Sequence, residues 1–160
     1  MEPADIDDIY RWENDPAIWA YSFAHQPFSR HALQTFIDDC SLTDIYAARQ
    51  LRLMADDGDR TVGSVDLYDF DPFNQRAAIG IIVDSSCRRQ GYATAIIAAL
   101  EQFALQHLNL HQLYCDVACD NTHSLSLFTH CGYSTCATMR QWLRTPDGWA
   151  DCQRLQKILH

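Results

Sequence analysis

The sequence predicts a mixed α/β (α+β) fold built on a largely antiparallel sheet. Three observations predict it. Helical and strand periodicities both occur, in the order helix, helix, three strands, helix, strand, helix, two strands. Short turn-forming stretches, rather than crossover helices, join several of the strands. The regular strand–helix alternation of a dinucleotide-binding sheet is missing.

Asp5 to Trp12 reads as a first helix, broken near Asp15-Pro16. Ser29 is a candidate N-cap for a second helix, in which Leu33, Phe36, Ile37 and Cys40 share one face. Ala48 to Leu53 alternates like a strand, and Asp56-Asp57-Gly58-Asp59 is turn chemistry. Thr61 to Asp69 resumes strand composition, and Asp71-Pro72-Phe73-Asn74 makes a second turn. Ala77 to Val83 is a short apolar run that reads as a buried central strand. Gly80 inside it predicts a bulge or a close backbone approach.

The longest helical pattern follows, with Ala93, Ile96, Ile97, Leu100, Phe103, Ala104 and Leu108 at helical spacing. Gln112 to Val117 is a further strand. Asp120-Asn121 caps a short helix running through His130, and Gly132 suits the residue just past its end. Thr135 to Arg144 and Trp149 to Ile158 form a hairpin around Thr145-Pro146-Asp147-Gly148.

No repeat, low-complexity tract or linker divides the 160 residues, so a single domain over 1–160 is expected. An apolar fraction of 48% with 21% charged residues excludes a disordered chain. With 12 Lys and Arg against 21 Asp and Glu, the net charge of −9 repels a phosphate backbone and attracts cations. Nucleic acid is therefore not an expected partner, whereas amines and polyamines are open as ligands. No apolar run reaches the ~20 residues that span a bilayer. The opening Met-Glu-Pro-Ala-Asp lacks the form of a secretory signal, so a cytoplasmic location without a membrane partner is expected. The seven cysteines are odd in number and contain no C-x-x-C pair, which indicates neither a disulfide scaffold nor a metal site.

One junction carries chemistry. The strand 77–83 runs through Ser85-Ser86-Cys87-Arg88-Arg89-Gln90-Gly91-Tyr92-Ala93 into the long helix. The first turn of such a helix offers unpaired N–H groups and the positive end of its dipole, which together make an anion site. Gly91 lets a phosphate approach the backbone, Ala93 leaves room beside it, and Arg88 and Arg89 add charge. Neither a P-loop nor a Rossmann turn is present.

Two spaced motifs resemble those of the GNAT family of N-acetyltransferases. Arg88-x-x-Gly91-x-Ala93 is similar to the family's pyrophosphate loop. Asn121-x-x-Ser124-x-x-Leu127-Phe128-x-x-x-Gly132-Tyr133 is similar to its second signature helix. Within the family the chain looks most like the bacterial spermidine N-acetyltransferases. It shares with them Trp12-Glu13-Asn14, Leu108-Asn109-Leu110-His111 and the closing Asp147-Gly148…Asp151 hairpin; the ribosomal-protein N-terminal acetyltransferases share much of this. The resemblance implies a mostly antiparallel sheet of about seven strands, splayed between strands 77–83 and 112–117 and flanked by about four helices. It implies acetyl-CoA as cosubstrate, entering that gap. The backbone of Ile81, Ile82 and Val83 would pair with the pantetheine arm. Amides around Arg88, Arg89, Gln90, Gly91, Tyr92, Ala93 and Thr94 would hold the pyrophosphate. Asn121, Ser124 and Phe128 would lie beside the thioester. A homo-oligomer is expected.

The reaction so implied is direct attack of an amine on the thioester. A polyamine nitrogen with a pKa near ~10.4 costs about 4.6 kcal/mol to deprotonate at pH 7, so its proton must be taken by a base or an ordered water. Many relatives carry a Glu on the central strand where this chain has Ala78, and a Tyr on the second-signature helix where it has Phe128. No catalytic acid or base is therefore assigned. Asp66 and Asp69 are the remaining polar candidates on the acceptor side; three residues apart, they point to opposite faces of a regular strand. Glu13 and Asp39 are candidates from the helical half. Three activities remain open: acetylation of a polyamine, acetylation of a protein or peptide α-amine, whose pKa near 7.7–8.0 needs less help from a base, and acyl-CoA binding without turnover. Cys115 and Cys119 read as buried apolar residues, His123 and His130 as surface residues, and Trp142 with Trp149 as cross-strand packing or a subunit contact.

Overall fold

A computed structural model describes residues 1–19, 26–145 and 147–160. A 3₁₀ turn at Pro3–Asp5 leads into α1 (Ile6–Glu13). The break at Asp15-Pro16 is a restart, because α2 (Pro16–Trp19) is a single turn with Pro16 at its first position, where a missing N–H costs nothing. α3 (Arg30–Leu42) begins at Ser29, whose side chain accepts from Ala32 N at 3.1 Å. α1 and α3 share a small core of Ile9, Leu33 and Ile37.

A second single turn, α4 (Ile45–Ala48), is capped by Asp44 and closed by Arg49 in the left-handed region at φ 58°. This turn uses residues expected to open a strand, so β1 runs from Leu51–Asp56 and ends on a residue expected in the turn. Beyond it lie β2 (Thr61–Asp71), β3 (Arg76–Val83), α5 (Tyr92–His107), β4 (Gln112–Ala118), α6 (Thr122–His130), β5 (Ser134–Thr145) and β6 (Gly148–Ile158). Pro146 of the expected hairpin turn lies outside the described residues.

The described strands form one six-stranded sheet in the order β1-β2-β3-β4-β6-β5. That is the number read strand by strand from the sequence, one fewer than the about seven implied by the family likeness. Only β3 and β4 run parallel. Their ladder holds for Arg76, Ala77 and Ala78 against Gln112, Leu113 and Tyr114, and then the strands part. One face of the sheet carries Val65, Leu67, Ile79, Leu113, Cys115 and Leu155, buried with Ile97, Leu100 and Ala104 of α5. Truncating one of these to alanine costs about 2–5 kcal/mol. The opposite face carries Arg52, Asp66, Tyr68, Ala78, Gly80, Tyr114 and Asp116, because residues paired across a ladder share a face.

Two expectations about the sheet are corrected. Gly80 marks neither a bulge nor a close approach: it pairs in register with Asp66, and an added Cβ would meet only ordinary contacts at 3.7–4.0 Å. The close approach is at Gly63, where a Cβ would fall 2.2 Å from the Ile82 carbonyl oxygen. The irregularity lies on the partner strand, between Tyr68 and Asp71, with Asp69 at φ 50°. This bulge undoes the alternation that would send Asp66 and Asp69 to opposite faces. Asp69 instead receives the Tyr114 hydroxyl at 3.4 Å, on the face that carries Asp66.

Candidate active site

The parting of β3 and β4 creates the site. Past Ala78 and Tyr114, the facing edges of the two strands have no strand between them among the described residues. The gap opens into a cleft of about 1210 Å³. Ile81, Ile82 and Val83 line it from β3, Cys115 to Ala118 from β4, and Asn121, the N-cap of α6, with Ser124 and Phe128 of that helix, lines it too. Asn121 is fixed by its capping bond, its Oδ1 accepting from Ser124 N at 3.1 Å.

The loop into α5 lines the same cleft. Asp84 caps a 3₁₀ turn over Ser85–Cys87, and Gly91 sits in the left-handed region at φ 87° as the N-cap of α5. Ala95 N, donating to Gly91 O at 3.2 Å, is the first N–H of α5 with a backbone acceptor. The amides of Gly91, Tyr92, Ala93 and Thr94 have no partner among the described residues, and an added Cβ at Gly91 would meet open space. Arg88, Arg89, Gly91, Tyr92, Ala93 and Thr94 line the cleft. Gln90 does not; its Nε2 donates to Ser86 O at 3.0 Å. Arg88 Nε donates to Val83 O at 3.2 Å.

The remaining wall is the polar face of the sheet under α1. Arg52 is its centre, donating from Nη1 to Glu13 Oε1 at 2.5 Å and from Nε and Nη2 to the two oxygens of Asp66 at 2.6 and 2.9 Å. Burial disfavours the Arg52 cation, but these bonds outweigh it and leave the guanidinium more firmly charged than usual. Asp116 is held in the same forked manner by Arg154, both bonds at 2.7 Å. Tyr68 lies between these clusters, and no partner of its hydroxyl appears among the described residues. Burial, with the nearby Asp116 charge, pushes its acidity far down, so the phenol stays protonated.

Of the acceptor-side residues expected from sequence, Glu13 and Asp66 line the cleft; Asp69 and Asp39 do not. Asp39 stands exposed on α3 because Leu33 and Ile37 take the buried face. Ala78 is fully buried and Phe128 nearly so, edge-on to Tyr133 at 5.2 Å. His123 is exposed, as expected, yet also lines the cleft, while Trp142 and Trp149 are exposed on the terminal hairpin. Sequence reasoning missed Arg52, Tyr68, Asp84 and Asp116. The only local sign for Arg52, Tyr68 and Asp116 was the polar–apolar alternation of their strands, which does not say what each polar residue faces; Asp84 lies just past β3.

A family model for the acetyltransferase (GNAT) domain matches residues 1–134. In sequence the chain is similar to the spermidine N(1)-acetyltransferase of Vibrio cholerae, at 24% identity over 134 residues, which are 83% of this chain and 75% of that one. In structure it is similar to the crystal structure of the Vibrio cholerae spermidine N-acetyltransferase in complex with CoA and spermine. The TM-score there is 0.89 at 22% identity, covering 99% of this chain and 92% of the other. A dodecameric structure of the spermidine N-acetyltransferase from Vibrio cholerae in an intermediate state gives a TM-score of 0.83 at 20% identity, over 99% and 91% of the two chains. The chain belongs to the GNAT acetyltransferase family, and it is an N-acetyltransferase whose cosubstrate is acetyl-CoA.

Proposed function

We propose that the chain, as one N-acetyltransferase domain, transfers acetyl from acetyl-CoA to a primary amine of a polyamine. In this reading the pantetheine arm occupies the gap beside Ile81, Ile82 and Val83. The diphosphate meets the amides of residues 91–94 with Arg88 and Arg89 alongside, and the thioester lies near Asn121, Ser124 and Phe128. The amine arrives over the polar face of the sheet. Its nitrogen forms the new C–N bond, the C–S bond breaks, and the surplus proton leaves through water in the open cleft.

The observation that carries the acceptor class is the acidic wall. Glu13, Asp66 and Asp116 line the cleft there, three carboxylates against the two guanidiniums that pair with them, Arg52 and Arg154. Glu13 gives only Oε1 to Arg52, and among the described residues Oε2 has no partner, which suits it to an ammonium. Likeness to the Vibrio cholerae spermidine enzyme supports the same class. Assembly into a homo-oligomer, as in the dodecameric relative, belongs to this reading and is measured by light scattering.

Ala78 and Phe128 favour a second reading, acetylation of a peptide α-amine, which asks less of a base. The test is CoA-thiol release from acetyl-CoA with spermidine, spermine, diamines and short peptides starting with Ser or Ala. Polyamines are expected to be the fastest acceptors. Faster peptides would establish the second reading. Silence across the panel, with CoA bound, would identify an acyl-CoA-binding protein without turnover.

A further inference from the structure

We propose that Asp84 is the positioning residue of the diphosphate loop, and that through it the loop depends on α1. The proposal rests on the assignment of that loop to CoA given above.

Asp84 is the first residue after β3, and its carboxylate serves two elements at once. Oδ1 accepts from Ser86 N at 2.9 Å and Ser86 Oγ at 2.7 Å, which shapes the turn leading to Arg88. Oδ2 accepts from Trp12 Nε1 at 2.9 Å and Arg11 Nη2 at 2.5 Å, both on α1. The Asp84 main chain is held as well, its N donating to Val62 O and its O accepting from Cys87 N, each at 2.9 Å. Four donors thus converge on one carboxylate whose residue is only 6% exposed. Charge-assisted bonds of this kind are strong and directional, and a buried carboxylate cannot trade them for water.

The position of α1 gives this its functional meaning. Trp12 and Glu13 are neighbours on that helix. Trp12 holds Asp84, at the entrance of the loop, while Glu13 holds Arg52, on the acceptor wall. One rigid helix therefore fixes both the acceptor-side carboxylate and the start of the segment that presents the amides of residues 91–94. Cutting its bond to Asp84 frees the loop to sample arrangements in which those amides do not converge, and each lowers the fraction of protein ready to bind.

Two variants test this. Asp84→Asn keeps the shape but places an NH₂ where an acceptor is needed. Arg11→Gln removes the α1 guanidinium and its charge at a half-exposed side chain that does not line the cleft. The Kd of CoA, measured calorimetrically in each folded variant, is expected to rise about tenfold in Asp84→Asn and about threefold in Arg11→Gln, as for one or part of one charged hydrogen bond. The KM for acetyl-CoA should rise in parallel, with kcat at saturating acetyl-CoA within about twofold of the parent. A merely structural role would lower the unfolding midpoint and leave Kd and the KM-to-kcat split unmoved. Kd values within about twofold of the parent in the folded variants would overturn the proposal, and Arg11→Gln alone decides if Asp84→Asn does not fold. Failure of the unsubstituted protein to bind CoA would instead overturn the loop assignment, and this proposal with it.

Discussion

Tyr68 stands directly across the β2–β3 ladder from Ala78, and Tyr114 flanks Ala78 on the other side. All three share one sheet face. The place where many relatives carry a glutamate is therefore a fully buried methyl between two phenols. Ala78→Glu is expected to destabilise the fold by at least about 1–3 kcal/mol through overpacking, without raising kcat. Thermal unfolding and thiol release check this; a faster enzyme with an unchanged melting temperature would show that the position is open.

Phe128→Tyr should behave differently. Phe128 borders the cleft and packs edge-on against Tyr133, and a tyrosine there keeps the ring and adds one hydroxyl. With the thioester placed as proposed, a donor there would protonate the departing thiolate, and kcat is expected to rise by about tenfold, below the full value of an optimally placed acid. An unchanged kcat at saturating acetyl-CoA would contradict it.

Two substitutions at Gly91 separate backbone strain from charge. Gly91→Ala meets no neighbour but must hold φ near 87°, so a loss of about 1–2 kcal/mol in stability is expected with CoA binding retained. Gly91→Glu adds a carboxylate where the diphosphate is read to sit, and calorimetry should find no CoA binding. Undiminished affinity in Gly91→Glu would sink the loop assignment.

Arg52→Met removes the one cation shared by Glu13 and Asp66 in a largely buried site. Leaving two carboxylates there without their partner is expected to cost about 3–5 kcal/mol. Chemical denaturation would register this as a lower midpoint with an unchanged slope.

Acid sensitivity should report on Asp84. Burial opposes its ionisation, but the bonds from Ser86, Trp12 and Arg11 outweigh burial and hold its carboxyl well below the ordinary value of 3.8. A depressed folded value gives stability that is fully present above the unfolded value and is lost as pH falls below it. The stability gap between the parent and Asp84→Asn at pH 7 should therefore narrow once the pH drops below about 4. A gap that stays constant to lower pH would assign the acid limb to other carboxylates.

What the sequence made legible was local. Ser29 and Asn121 cap their helices through bonds to residues three positions on, and Gly91 takes the backbone angle that only the next turn requires. Such features are written within a few residues. Arg52 meets Asp66 only once β1 and β2 are in register, and Trp12 meets Asp84 across 72 positions. Nothing near either residue encodes its partner. The two glycines make the same point. Gly80, inside the apolar run, invited the reading of a close approach, but which glycine faces a neighbouring carbonyl is a property of the pairing, and it is Gly63.

A sheet stitched for only three rungs between β3 and β4 is a sheet one member short. Whatever lies in that opening and bonds to its free edges becomes, for the time it stays, part of the framework. On the proposed placement of CoA in that gap, the enzyme's resistance to unfolding is tied to the cell's supply of the acyl carrier. By mass action, a ligand at 100 times its dissociation constant adds about 2.7 kcal/mol to the folded state. A chain starved of it should be the one that proteases find first.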